Sequence, residues 1–174
     1  DFIAWDTRKN WKKYWLIDPL DGTKEFIKKN GEFTINIALI EYNQPVLGII
    51  YAPAFGSLFF SKKNNGSYKI YTKNNLNTFK NSEKISVKYT NNEKIRVIGS
   101  RSHSNIAFDN WVKKKFTNFE IIEKGSSLKF CEIAEGKADI YPRFGPTSEW
   151  DIAAGHIILL EAGGKLKTID NKDL

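Results

Sequence analysis

The sequence predicts a mixed α/β fold, α+β in its chain order, on three observations. The first half carries short apolar strands parted by tight turns, and the second half alternates strands with helices. With 41% hydrophobic and 14% aromatic residues among 174, the chain can fill one compact core in one globular unit of two lobes, which excludes a disordered or fibrous chain.

Taken in order, Tyr14 to Ile17 is too short an apolar run for a helix and reads as a buried strand stopping at Asp18-Pro19, where Pro19 forces Asp18 into extended geometry. Lys24 to Lys29 makes a brief helical turn that Asn30-Gly31 breaks. Phe33, Ile35, Ile37 and Leu39 then alternate with Thr34, Asn36 and Ala38, the period of a strand with one core face. Tyr42-Asn43-Gln44 turns the chain into a strand from Val46 to Tyr51, ended by Pro53, and Asn64-Asn65-Gly66 joins Ser57–Ser61 to Ser67–Thr72 as a hairpin. The first half is therefore an antiparallel meander. Residues 73–94, rich in Asn, Lys, Ser and Thr, form a surface connection with one short strand over 85–89. Beyond it come a strand at Ile95–Ile98, a helix at 105–116 with Ile106, Trp111 and Val112 as its apolar stripe, and a strand at Phe119–Glu123. A helix at Ser127–Glu135, a strand at Ala138–Phe144 and an apolar helix at Ile152–Ala162, capped by Gly163-Gly164, complete the chain. This half is expected to form a mixed or parallel sheet covered by helices. The lobes divide as 1–92 and 93–174.

A net charge of +7 favours an anionic partner without choosing among nucleic acid, membrane surface and small phosphates. Cys131 is the sole cysteine, so an intrachain disulfide and a Cys-based zinc site are excluded, and a reducing compartment is expected. No apolar run reaches the ~20 residues that span a bilayer, which predicts a soluble, cytoplasmic protein. Methionine is absent even at position 1, and the sequence is expected to be a piece of a longer protein.

The chemistry concentrates in Trp15-Leu-Ile-Asp18-Pro-Leu-Asp21-Gly-Thr23, where two carboxylates three residues apart end a buried strand, the place where open sheets hold ligands. Asp18, Asp21 and the Leu20 carbonyl can converge on a hard cation such as Mg²⁺, with the Gly22 and Thr23 N–H groups offering an anion site beside it. Turn formation and helix capping explain the same residues equally well. Asp151 in Trp150-Asp151 reads first as an N-terminal cap, and as a third metal ligand if its helix faces the Asp18-Asp21 turn. His103 reads first as a loop residue, and Gly125-Ser-Ser-Leu-Lys129 first as a capped helix start, and otherwise as a strand-to-helix turn able to hold a phosphate. His156, five residues past Asp151 and so ~140° round the helix, belongs to packing.

Together these residues resemble the Mg²⁺-dependent, lithium-sensitive phosphomonoesterases of the inositol monophosphatase superfamily, over nearly the whole chain. The resemblance is carried by Asp18-Pro-Leu-Asp-Gly-Thr-Lys-Glu-Phe-Ile27, Asn30-Gly-Glu-Phe-Thr34, Tyr51-Ala-Pro53, Ser100-Arg-Ser-His103, Gly125-Ser-Ser-Leu-Lys-Phe130, Tyr141-Pro-Arg-Phe-Gly-Pro146 and Trp150-Asp-Ile-Ala-Ala-Gly-His156. Lys24-Glu25-Phe26-Ile27 points to the 3'(2'),5'-bisphosphate nucleotidase branch, because inositol monophosphatases typically carry Asn-Phe there.

The resemblance implies a layered α/β/α/β/α sandwich of the inositol monophosphatase and fructose-1,6-bisphosphatase type, acting as one catalytic unit. It also implies two or three Mg²⁺ ions on Asp18, the Leu20 carbonyl, Asp21 and Asp151, with Gly22 and Thr23 on the scissile phosphate and Thr23 orienting the attacking water. Ser100, His103, Gly125 and Lys129 would contact the nucleotide, Lys129 and Arg143 offsetting its second phosphate. The implied reaction converts adenosine 3',5'-bisphosphate to AMP and phosphate, with the sulfated nucleotide PAPS as a related substrate in sulfate assimilation and with peripheral association at the inner membrane. In the family a Glu-Glu metal-ligand pair stands just before the segment beginning here at Asp1. N-terminal helices, an upstream Asp and a last C-terminal stretch belong to the same comparison, so the fold is expected to be incomplete at both ends, with weak metal binding and activity in these residues alone. An inositol or sugar phosphatase is the alternative within this class. A basic nucleic-acid-binding module is the alternative outside it, disfavoured because the basic residues are scattered through loops. Asn65-Gly66-Ser67 reads as a hairpin turn rather than a glycosylation site.

Overall fold

The computed structural model describes residues 3–72, 79–88, 94–102 and 106–174. A short helix α1 (Trp5–Arg8) leads into strand β1 (Lys13–Asp21), helix α2 (Thr23–Ile27), and strands β2 (Thr34–Glu41), β3 (Gln44–Ala52), β4 (Ser57–Lys62), β5 (Ser67–Tyr71) and β6 (Glu83–Ile85). These six strands pair antiparallel in sequence order, the expected meander. Strand β7 (Ile95–Ser100), helix α3 (Ile106–Lys115), strand β8 (Phe119–Lys124), helix α4 (Leu128–Ala134) and helix α5 (Glu149–Glu161) follow. β7 and β8 pair in parallel, as the strand–helix alternation predicts. The expected lobe boundary at 92/93 lies outside the described residues.

Several expectations about the strands need correction, and the short strand expected over 85–89 lies instead at Glu83–Ile85. The run predicted as a strand over 138–144 is reduced to a bridge between Ile140 and Val97, because Asp139 turns back onto the Arg96 guanidinium and Pro142 has no N–H for a ladder. In β2 the fully buried face is not Ile35, Ile37 and Leu39 but Thr34, Asn36, Ala38 and Ile40, which are between 0% and 4% exposed. Helix α5 lies across this second face, where small Ala38 and Gly48 of β3 admit it closely. The opposite face stays half open, with Trp15 and Ile17 more than half exposed. A period of two says that a strand has two unlike faces; what packs on them decides which one is core.

The core runs between the six-stranded sheet and helices α4 and α5, joining Ala38, Ile40, Ile50 and Phe59 to Cys131, Ala134, Ala154 and Ile158. Alanines and Gly155 let α5 sink against the sheet on one side and Phe130 of α4 on the other. His156 is buried within this helix, and burial holds its pKa below the ordinary value, in keeping with a packing role. On the far side Phe108 of α3 closes over Gly99 of β7.

A buried ion pair, Lys69 to Glu135 at 2.7 Å, clamps β5 to the end of α4, with the ammonium over the rings of Phe59 and Tyr71. Both side chains are largely withdrawn from water, so Lys69→Met is expected to strand the carboxylate and lower unfolding free energy by about 3 kcal/mol in urea titration. A loss under about 1 kcal/mol would show that half-exposed Lys137, 2.9 Å from Glu135, is a sufficient partner.

Candidate active site

Strand β1 does not stop at Asp18-Pro19; it continues to Asp21 through a bulge. Asp18 pairs with Asn36 and Asp21 with Thr34, so three steps on β1 match two on β2. In an even strand residues three apart point to opposite faces, and the extra residue brings Asp18 and Asp21 onto the same one. Pro19 is tolerated because β1 lies at the sheet's edge. The Leu20 N–H donates to Asp18 Oδ1 at 3.0 Å, which fixes the first carboxylate at the bulge.

Asp151 arrives from the first turn of α5. The two readings of this residue are compatible: its Oδ2 accepts the Ser148 N–H at 2.9 Å in a capping box, and its carboxylate also faces the bulge. One oxygen each from Asp18, Asp21 and Asp151 lies within 4.8 Å of the others, all half-buried. Burial, together with the charges of Asp21 and Asp151, raises the Asp18 pKa despite the Leu20 hydrogen bond.

The donor set fits a hard divalent cation, because three carboxylates crowd together with neutral hydrogen-bond donors around them and a cation would relieve their repulsion. On Asp21, Ser127 Oγ (2.7 Å), Asn36 Nδ2 (3.3 Å) and Thr34 Oγ1 (3.4 Å) all donate to Oδ2, leaving the second oxygen available to a ligand. Ser127 is itself held by Asn36 Nδ2 at 2.8 Å, an outer shell of the kind that orients metal-binding carboxylates. Asn36 and Thr34 escaped the sequence reading; their signal is the interleaved polar residues of β2, which resemble a solvent face until the partner strand is in place. Ser127 stands in the Gly125–Lys129 motif, but no local pattern assigns it to Asp21.

A cavity of about 1350 Å³ opens from the cluster and is lined by Asp21, Gly22, Thr23, Ser100, Lys129, Arg143 and Asp151 among others. Gly22 adopts φ 84°, the left-handed region, at the start of the one-turn helix α2, and a side chain there would meet Ser126 of the β8–α4 turn at 3.0 Å. Lys129 is buried; its Nζ donates to the Ser126 carbonyl at 2.6 Å and stands 5.5 Å from the Tyr141 ring centre. Burial lowers its pKa to about 8, opposed by Asp21 and assisted by Arg143. Arg143 is anchored to the Pro146 carbonyl at 2.8 Å. A cationic pocket thus adjoins an acidic cluster in one cavity. Gly125 does not line it but sits behind, its N–H donated to Glu32, and His103 lies outside the described residues.

The model of the inositol monophosphatase family matches residues 3–174. The chain belongs to that family. Among its curated relatives in the family, the 3'(2'),5'-bisphosphate nucleotidase CysQ of Buchnera aphidicola is 51% identical over 160 residues, covering 92% of this chain and 57% of the relative. CysQ of Escherichia coli K12 is 40% identical over 171 residues, covering 98% and 65%. The solved structure of CysQ from Bacteroides thetaiotaomicron superposes with a TM-score of 0.85 at 42% identity, over 94% of this chain and 64% of that one. An inositol monophosphatase from Anabaena follows at 0.77 and 28%, over 94% and 63%. The mixed α/β architecture is therefore the inositol monophosphatase fold, and the chain spans about three-fifths of the length of the relatives it matches. None of the described helices is long and apolar enough to cross a membrane.

Proposed function

We propose that the protein is a Mg²⁺-dependent phosphomonoesterase that removes the 3'-phosphate of adenosine 3',5'-bisphosphate, with its two lobes working as one catalytic unit in the cytoplasm. The observation that carries this reading is the pairing of a three-carboxylate cluster with the Lys129–Arg143 cationic pocket in one cavity. Such a site suits a substrate with two phosphates, one met through a cation and one met directly. The 40–51% identity to CysQ nucleotidases supports the same choice.

Asp18, the Leu20 carbonyl, Asp21 and Asp151 would hold Mg²⁺, which when bound supplies Lewis acidity for neutralising phosphate charge and for acidifying water. Ser127, Asn36 and Thr34 hold the Asp21 carboxylate aimed at the cluster, so the ligand set is preorganised. Gly22 and Thr23 would hold the scissile phosphate with backbone N–H groups, and the Thr23 hydroxyl would orient the attacking water. No side-chain nucleophile is needed. Lys129 and Arg143 would bind the second phosphate and Ser100 would contact the nucleotide, with His103 proposed beside it on the motif Ser100-Arg-Ser-His103 alone. The sulfated nucleotide PAPS, with the same 3'-phosphate, would be a second substrate. The buried Cys131, whose thiol pKa burial raises far above normal, takes no part.

Phosphate release by the full-length protein, measured side by side on adenosine 3',5'-bisphosphate, inositol 1-phosphate and fructose 1,6-bisphosphate, tests the proposal. We expect kcat/KM on the nucleotide to lead by at least about 100-fold, some 2.7 kcal/mol of transition-state binding. Faster turnover of inositol 1-phosphate would assign the cationic pocket another role.

A further inference from the structure

The motif Asn30-Gly-Glu-Phe-Thr34 has no part in the chemistry above, yet Glu32 within it is one of the most engaged side chains in the molecule. Its carboxylate is buried against two segments distant in the chain. Arg101, just past β7, donates Nε to Oε2 at 2.8 Å and a terminal nitrogen to Oε1 at 3.1 Å, a two-pronged contact. The Gly125 N–H donates to Oε2 at 2.8 Å, and Lys124 Nζ lies 3.9 Å from Oε1. Burial opposes its charge, but Arg101, the Gly125 N–H and Lys124 outweigh it and hold the Glu32 pKa below the ordinary value. The Asn30 side chain accepts the Glu32 N–H at 2.9 Å and so sets the loop.

The packing round this carboxylate leaves no slack. A methyl group on Gly125 would stand 2.5 Å from Glu25 Cγ and 3.0 Å from the Glu32 carbonyl, so the β8–α4 turn is pressed against the α2–β2 loop. Arg101 is held on its other side by the Glu123 carbonyl at 2.9 Å. The two segments that Glu32 ties down carry Ser100 and Lys129, whereas the acidic side chains themselves stand on β1 and α5; Ser127, which reaches Asp21 from the same turn, is held independently by Asn36 of β2.

We propose that Glu32 is a positioning residue that sets the distance from the reacting phosphate to the nucleotide-binding side of the cavity, by fastening the β7 end and the β8–α4 turn to the loop before β2. This inference rests on the nucleotidase reading. It separates two substrates: one that must reach both sides of the cavity needs the tie, and a small monoester that uses the acidic cluster alone does not.

The test is steady-state kinetics of full-length Glu32→Gln and Arg101→Met on adenosine 3',5'-bisphosphate and on p-nitrophenyl phosphate, at fixed Mg²⁺. Glu32→Gln is expected to raise KM for the nucleotide about 30-fold, with kcat on it, and kcat/KM on p-nitrophenyl phosphate, held within threefold. Arg101→Met, which cuts the tie from the other end, is expected to do the same, and the double variant to be no worse than either single one. Restoring a carboxylate as Glu32→Asp is expected to recover part of the lost KM. An unchanged nucleotide KM in both single variants overturns the proposal, as does an equal loss on both substrates, which marks a purely structural role; if Glu32→Gln fails to fold, Arg101→Met decides. A wild-type protein that hydrolyses p-nitrophenyl phosphate but not the bisphosphate overturns the nucleotidase reading itself, a different result from either.

Discussion

Asp21→Asn and Asp151→Asn should each reduce Mg²⁺-dependent phosphate release at least about 10³-fold, roughly 4 kcal/mol, while leaving the fold in place. The structure explains why the damage is confined to chemistry. An asparagine at 21 can keep its carbonyl where Oδ2 accepts from Ser127, Asn36 and Thr34, which turns its NH₂ group toward the cluster, where it repels a cation. An asparagine at 151 can likewise keep the cap on the Ser148 N–H. The Asp18 pKa gives a second readout. It is raised in the folded state, so the folded chain binds more protons than the unfolded one. The metal-free protein therefore loses stability as pH climbs from about 4 through the folded pKa. Removing the Asp151 charge eases that repulsion, so the metal-free variant should melt no lower than wild type at neutral pH, whereas added Mg²⁺ should no longer raise its Tm. Metal-dependent turnover surviving both substitutions would remove the cluster from the reaction.

Lys129→Met should raise KM for the bisphosphate about 100-fold with a smaller change in kcat, because a buried ammonium that meets a phosphate directly is lost. Its depressed pKa fixes the pH dependence. As pH rises through about 8 the wild-type side chain loses its charge, so nucleotide affinity should fall there, and the methionine variant should lack that limb. Stability changes in the opposite direction. Between about 8 and the ordinary lysine value the unfolded chain binds more protons than the folded one, so metal-free stability rises with pH across that window. The full difference is about 3 kcal/mol and should vanish in Lys129→Met, as followed by urea unfolding at pH 7 and pH 10. A KM unmoved by the substitution would place the second phosphate elsewhere.

Much of the fold was legible because its signals are local. Asn64-Asn65-Gly66 specifies a hairpin wherever it stands, with Asn64 at φ 64° and Gly66 at φ 82°, and the apolar run ended by Gly163-Gly164 specifies a helix and its stop. Pro19 misled, since a proline normally ends a strand, and only an edge position with a bulge lets β1 pass through it to Asp21. The strand expected over 138–144 failed for a related reason: the Asp139 contact that turns the chain back is made with Arg96, far away in the sequence.

By itself the sequence determined the order and type of most elements and the meander, and it offered Asp18 and Asp21 as a candidate cation site; these follow from residue type, turn chemistry and spacing, which act over a few residues. Asp151 as a third ligand and Lys129 and Arg143 as phosphate partners came from the family resemblance. The tertiary structure decided which face of β2 is core, that Asp18 and Asp21 share a side, that Asp151 joins them while capping its helix, that Lys129 is buried enough to titrate near pH 8, and that Glu32 binds three loops together. All of these depend on desolvation and on contacts between distant segments. A strand's alternation is symmetric between its faces and a carboxylate's partners are unknown until the chain closes, so no local pattern contains them.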